Sequence, residues 1–225
     1  AFLAHVGRDI RIDISRGWWI AHTIVGLIQK LDSNCNAIAD LEKEVATLLQ
    51  DVVEFEYDLN AQNADGDTAL HMLCVSDGIL SQYAAVWLLE HTTVNQKIQN
   101  LAGLTALESC HAAGFHPSKV DYNIVVDKSE NEVLGINIEF TVYNDTKALV
   151  VRGVQDGGLV LAWNTVNPER VVKIGDFVVD VNGSSDADIM IKECKKQTKL
   201  DIKLQRGFKR LLDAFEGKSG TATPS

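Results

Sequence analysis

Residues 63–71 of this chain read NADGDTALH, and residues 100–108, which begin 37 positions further on, read NLAGLTALE. A weaker copy, GWWIAH, occupies residues 17–22 and has the same glycine-to-histidine spacing as Gly66 and His71. A sequence that repeats at a fixed period predicts stacked helical units, because each unit buries its apolar face only against its neighbours. The predicted members of the shared core are Leu48, Leu49, Leu70, Val86, Leu88, Leu89 and Leu107.

The repeated segments resemble the ankyrin repeat, a unit of about 33 residues with a Gly-x-Thr-Pro-Leu-His signature. The resemblance implies that Gly66 serves a tight turn, that Thr68 caps a helix and that His71 supports the turn by hydrogen bonding. Alanine stands in place of the proline, Glu108 in place of the second histidine and Trp19 in place of the first threonine. The resemblance covers residues 1–116, and we expect the chain to begin in the middle of a repeat.

Residues 119–207 change to a β pattern. Helical patterns interrupt them at residues 159–163 and 186–196. Two motifs mark the region, VLGI at residues 133–136 and IGDFVVDVNG at residues 174–183. The runs rich in β-branched residues, which predict strands, are 124–126, 136–140, 148–151, 177–181 and 200–204.

The two motifs and the strand order resemble the PDZ domain. The resemblance implies a partly open β-barrel with two helices and a groove for an extended peptide. Backbone amides in the first motif would bind the peptide carboxylate, and the strand edge that follows would pair with the peptide. The implied groove residues are Leu134, Gly135, Ile136, Asn137, Ile138, Ala187, Asp188 and Ile191. They favour an aliphatic last residue, with a polar or basic residue two positions before it.

Residues 208–225 form a third region. Apolar residues at positions 208, 211, 212 and 215 have the spacing of a short amphipathic helix. The chain is thus predicted to be a multidomain α plus β protein. An ankyrin-like helix-pair solenoid at residues 1–118 precedes a PDZ-like domain at residues 119–207 and a short helix and tail at residues 208–225.

The composition excludes several classes of protein. A net charge of −10 argues against a nucleic-acid binder, which needs a basic face. The four cysteines form no C-x-x-C pair and favour a reducing compartment. The longest apolar run, residues 17–28, is shorter than the about 20 residues of a transmembrane helix. A basic cluster predicts either a solvated surface or contact with an acidic partner or an anionic membrane: Lys192, Lys195, Lys196, Lys199, Lys203, Arg206, Lys209 and Arg210.

Motifs for catalysis are missing from the sequence. It contains no phosphate-binding loop, no dinucleotide-binding glycine motif and no nucleophile elbow. The cysteine and histidine spacings match no closed zinc site, and the calcium-like segment near Gly66 lacks the first and last ligands. We therefore expect no enzymatic activity, no cofactor and no metal.

Two functions stay open. The first is a non-catalytic scaffold or adaptor that binds proteins through an ankyrin face and a PDZ groove. The second is a peripheral structural subunit of a large organellar membrane complex, photosynthetic or respiratory, with the groove vestigial or occupied. The first implies a cytoplasmic location and the second a chloroplast or mitochondrion. Trp18 is predicted to contact a partner, because it aligns with Asp67 and Leu104 at a position that usually faces solvent.

Overall fold

A computed structural model describes residues 19–32, 38–117, 120–128, 132–143, 146–196 and 198–217 of the chain. Within these ranges the protein is a mixed α plus β structure with eight α-helices and one antiparallel five-stranded sheet. Its contacts divide it into two compact units. The first contains the described residues up to His116 together with Arg210–Gly217, and the second contains the described residues of Pro117–Lys209.

The first unit is helical. Helix α4 packs against α1, α2 and α3, and α3 also packs against α5. No helix within the described ranges is both long and apolar enough to cross a membrane. The helices are α1 (Trp19–Asp32), α2 (Ile38–Glu54), α3 (Ala69–Cys74), α4 (Ile79–His91) and α5 (Ala106–Ala112). The last helix of the chain, α8 (Phe208–Phe215), also belongs to this unit from Arg210 onward.

The core of the first unit follows the helical spacing of its apolar residues. In α2, buried residues recur every three or four positions at Val45, Leu49 and Val52. The predicted core residues that are buried are Leu49, Leu70, Val86 and Leu88. The predicted core residues that are only half-buried are Leu48, Leu89 and Leu107. Each of these three is the chain neighbour of a buried residue, and successive side chains point about 100° apart around a helix.

Asparagine side chains close the turns that precede α3 and α5. Asn63 Oδ1 accepts hydrogen bonds from the amides two and four residues further on, both 2.9 Å long. Asn100 Oδ1 accepts the equivalent bonds at 3.0 and 3.1 Å. Gly66 and Gly103 follow in these turns with φ angles of +77° and +74°, which glycine adopts most readily. The repeated sequence therefore corresponds to a repeated turn.

The two turns stack on each other. The Leu101 amide donates a hydrogen bond of 2.9 Å to the Asp65 carbonyl. His71 Nδ1 accepts from the Thr68 amide at 3.2 Å, so Nε2 carries the hydrogen and donates to the Leu104 carbonyl at 3.0 Å. His71 thus supports the cap of α3 and binds the turn of the next repeat, at residues 100–104.

His22 makes the same type of contact one repeat earlier. Its Nε2 lies 2.9 Å from the carbonyl oxygen of Asp67, the residue equivalent to Leu104. In the last repeat Glu108 replaces the histidine, and its carboxylate accepts a hydrogen bond from the Thr105 amide at 2.7 Å. Glu108 therefore keeps the capping role of the histidine on its own helix.

The second unit is built on the sheet, whose strand order is β1-β5-β4-β3-β2. All neighbouring strands are antiparallel, and β1 and β2 are the edges of the described sheet. Each predicted strand run lies within an observed strand. The elements are β1 (Asp121–Asp127), β2 (Ile136–Tyr143), β3 (Thr146–Val154), α6 (Leu159–Val166), a 3-10 turn (Pro168–Arg170), β4 (Phe177–Val181), α7 (Ala187–Lys195) and β5 (Lys199–Gln205).

A buried ion pair lies within the second unit. Asp176 Oδ2 accepts hydrogen bonds from the Tyr122 hydroxyl at 2.6 Å and from Arg206 at 2.8 Å. Burial raises the pKa of the Asp176 carboxyl, against the opposing effect of the Arg206 guanidinium. Asp176 belongs to the second sequence motif, so this part of the motif joins β1, the start of β4 and the end of β5.

Candidate functional site

The candidate site begins at the loop of residues 133–136, which is anchored to the start of α6. The Val133 and Leu134 carbonyls accept hydrogen bonds from the Leu159 and Val160 amides, each 3.0 Å long. These two amides belong to the first turn of α6, where the helix itself supplies no acceptor. The loop carbonyls are therefore committed to α6.

Gly135 is required by both the backbone and the packing. Its φ is +72°, and its carbonyl accepts from the Gln155 amide at 2.8 Å. A Cβ atom at this position would lie 2.6 Å from the Cα atom of Gly158, at the N-terminus of α6. Gly135 is thus needed for the close contact between the loop and α6. This role is separate from the approach of a ligand, which the sequence motif implied.

The loop amides have no such partners. Leu134 and Gly135 are both buried. No hydrogen bond from either amide to another described residue occurs. Buried backbone N–H groups are paired in the great majority of proteins, so two adjacent unpaired ones need a water molecule or an anion. Consecutive free amides beside a glycine form an anion-binding site.

Strand β2 continues from the loop along the sheet edge. Ile136 and Ile138 are half-buried and pack against the core of the second unit, whereas Asn137 between them is exposed. The pairing of β2 with β3 shifts by one residue between Asn137 and Ile138, and Asn137 Oδ1 accepts from Gln155 Nε2 at 2.7 Å. The opposite edge of β2 has no strand partner among the described residues.

Helix α7 supplies a second group of predicted site residues. Ala187 is 4% exposed, and Ile191 is half-buried. Both pack on the apolar cluster that includes Leu134 and Ile136. The structure therefore brings five predicted site residues to one hydrophobic cluster, namely Leu134, Ile136, Ile138, Ala187 and Ile191. Met190, which is 2% exposed in the same cluster, was not predicted.

Asp188 on α7 is already paired. Both of its carboxylate oxygens lie 3.0 Å from Lys147 Nζ on β3. The Lys147 ammonium also lies 3.9 Å from the ring centroid of Phe140 on β2. Asp188 is thus not a free carboxylate for a basic residue of a peptide. Neither Lys147 nor Phe140 was predicted, because only the tertiary fold brings them to α7.

The described thiols are unsuited to nucleophilic chemistry. Burial raises the pKa of Cys74 and Cys194, and it raises the pKa of Cys110 to about 12. All three therefore stay protonated near neutral pH, and the thiol form is a poor nucleophile. No cluster of three or more potential metal ligands occurs in the part of the chain that the structure describes.

Two other predicted contact surfaces were Trp18 and the basic cluster. Trp18 lies outside the described residues. The basic cluster does not act as one free surface, since Arg206 belongs to the buried pair with Asp176 and Lys196 binds Glu193.

No protein-family model and no curated protein matches the chain. We therefore infer function from the geometry of the two units.

Proposed function

We propose that the chain is a non-catalytic interaction scaffold whose second unit is a PDZ-type domain that binds the C-terminus of a partner protein. The observation that carries this proposal is a pair of adjacent amides, those of the buried residues Leu134 and Gly135. They have no partner among the described residues and lie where edge strand β2 begins. An anion at these amides and a strand beside β2 would together satisfy groups that no described residue of the chain pairs with.

A peptide C-terminus has both of the required features. Its carboxylate would accept hydrogen bonds from the loop amides, and its extended backbone would add a strand to β2. Ile136, Ile138 and Ile191 provide apolar walls, so the last side chain is expected to be aliphatic. The affinity should be near micromolar, about −8 kcal/mol, because the ordering cost of a short peptide offsets much of its small contact area.

The first unit supports the scaffold function as an ankyrin-type array. The turns at residues 63–67 and 100–104 stack through backbone bonds, and His22 and His71 make equivalent contacts to successive turns. Arrays of this kind present extended surfaces for binding other proteins. The proposed partners are proteins, and the proposed location is a reducing compartment, cytoplasmic or organellar.

A fixed subunit of a larger assembly is the second candidate function. It is favoured by the turn at residues 100–104, the last of the stacked turns. A Cβ atom on Gly103 in this turn would meet nothing within 4 Å among the described residues. At the equivalent Gly66 the stacked turn lies 2.7 Å from such an atom. Leu101 in the turn at residues 100–104 is 80% exposed, and a neighbouring protein on this side would bury it.

The deciding experiment is a titration of the full chain with fluorescent peptides. Each peptide ends in valine, leucine, isoleucine or aspartate and is made both as a free acid and as a C-terminal amide. We expect aliphatic free acids to bind near micromolar and their amides at least about tenfold more weakly, because an amide loses the charge that the loop binds. Equal binding of acid and amide would refute the carboxylate role, and no binding by any peptide would favour the assembly subunit.

A further inference from the structure

An ion pair joins β3 to α7 near the end of β2 that is away from the loop. Lys147 extends from β3, its ammonium lies over the Phe140 ring of β2, and it binds Asp188 at the start of α7. The side chains of Lys147 and Asp188 are 50% and 62% exposed. An exposed pair of this kind contributes little to stability, so a ligand carboxylate can compete with Asp188 for the Lys147 ammonium.

The position of this pair defines which peptide residue it would meet. A peptide whose carboxylate lies at the loop must run antiparallel to β2, with its last residue opposite Ile136. Side chains on one face of a strand pair recur every second residue, so the fourth residue before the last lies opposite Phe140. The distance along the strand from Ile136 to Phe140 is about 13 Å, at about 3.3 Å per residue.

Two lysines of α7 carry charges that no described acidic residue neutralises. Lys192 lies one helical turn beyond Asp188 on the same face of α7. Neither Lys192 nor Lys195 has an ion-pair or hydrogen-bond partner among the described residues. The acidic residues of β2 and α7 each have a partner: Glu139 with Arg152, Asp188 with Lys147, and Glu193 with Lys196.

One further feature of Lys147 favours a negative ligand group. The N-terminus of α7 does not contribute, because the Asp186 carboxylate already caps it by accepting a hydrogen bond from the Ile189 amide at 2.9 Å. Lys147 has three N–H donors, of which the two Asp188 oxygens occupy two. Its remaining donor can bind a third carboxylate oxygen while the ammonium stays over the Phe140 ring.

We propose that the groove selects C-termini that carry an acidic residue four positions before the last residue, with Lys147 as its binding partner. This inference rests on the proposed peptide-binding function and adds a specificity determinant to it. The chemical class of the ligand is thus an acidic C-terminal tail with an aliphatic end.

The test uses the full chain and labelled free-acid peptides of the form Gly-Gly-Ser-X-Ala-Ala-Ala-Val. X is glutamate, glutamine or lysine, and each peptide is also made as an amide. At low salt we expect the glutamate peptide to bind about threefold more tightly than the glutamine peptide, and the lysine peptide to bind most weakly. High salt should reduce the differences, because screening shortens the range of the interaction.

Three variants show whether Lys147 is responsible. Lys147→Met should bring the glutamate-to-glutamine affinity ratio to about one, whereas Lys147→Arg should retain the preference because the charge is kept. Lys203→Met is the control. It removes the same charge from an exposed residue of β5, outside the peptide site, and should leave the ratio unchanged.

The outcomes separate this inference from the proposed function. Equal affinities for the glutamate and glutamine peptides, with binding still lost on amidation, would overturn the role of Lys147 alone. A preference that survives Lys147→Met would overturn it as well. If no free-acid peptide bound, both the peptide-binding function and the role of Lys147 would be overturned.

Discussion

Substitution of Gly135 by alanine should destabilise the second unit more than substitution of Gly157 or Gly183, which also have a positive φ. At a φ of +72° an alanine experiences a backbone strain of about 1–2 kcal/mol. The new Cβ atom would also lie 2.6 Å from Gly158 Cα, well inside an ordinary carbon–carbon contact. Overpacking of this kind costs about 1–3 kcal/mol. The expected loss of stability is therefore about 2–5 kcal/mol.

Two neighbouring glycines separate the strain from the clash. Gly157 has a φ of +75°, but a Cβ atom there would meet nothing within 4 Å among the described residues, so Gly157→Ala tests the strain alone. Gly158 has an ordinary φ of −89°, but its Cβ atom would lie 2.4 Å from Gly135 Cα, so Gly158→Ala tests the clash alone. We expect losses of about 1–2 and about 1–3 kcal/mol respectively.

Native-state hydrogen exchange is the suitable assay, because it reports the opening free energy of β1–β5 in the full chain without isolating a domain. The three variants should rank with Gly135→Ala as the least stable. A Gly135→Ala variant no less stable than Gly157→Ala would refute the close packing of the loop on α6. The loop amides would then lack the support that we infer for them.

Two further predictions concern the first unit. His71→Ala should lower its stability by about 2–4 kcal/mol in native-state hydrogen exchange, because it leaves the Thr68 amide and the Leu104 carbonyl unpaired; a loss no larger than that of Glu108→Ala, whose side chain is exposed, would contradict this. The folded protein keeps Cys110 protonated up to a pKa of about 12, against 9.0 for an ordinary thiol, so its contribution to stability should be complete below pH 9 and decline from pH 9 to 12. Urea unfolding at several pH values checks this, and an unchanged decline in Cys110→Ala would assign it to other groups.

Local sequence signals predicted the elements of the fold. Strand β1 alternates between exposed and buried residues along its whole length, as the β-branched pattern implies. The repeat of residues 63–71 at 100–108 predicted that the two segments share one local structure. Both form the same turn, because the side chain and backbone of a turn bond within a few residues.

Features that join distant parts of the chain could not be predicted in this way. Gly135 meets Gly158 only after the loop has packed on α6, and Lys147 meets Asp188 only after β3 and α7 have packed. The half-burial of Leu89, predicted as core, likewise depends on which face of α4 meets its neighbours. No periodicity in the sequence encodes such contacts, since they depend on the relative positions of elements.

The central claim is that the Leu134 and Gly135 amides bind a peptide carboxylate, and the chemical shifts of these two amide protons test it most directly. A valine-terminated free-acid peptide, added to the isotope-labelled full chain, should move both proton resonances strongly downfield, because hydrogen bonds to a charged acceptor are short and strong. The C-terminal amide of the same peptide should leave them nearly in place. Unchanged Leu134 and Gly135 resonances with the free acid at saturation, or equal shifts with both peptides, would contradict the proposed function.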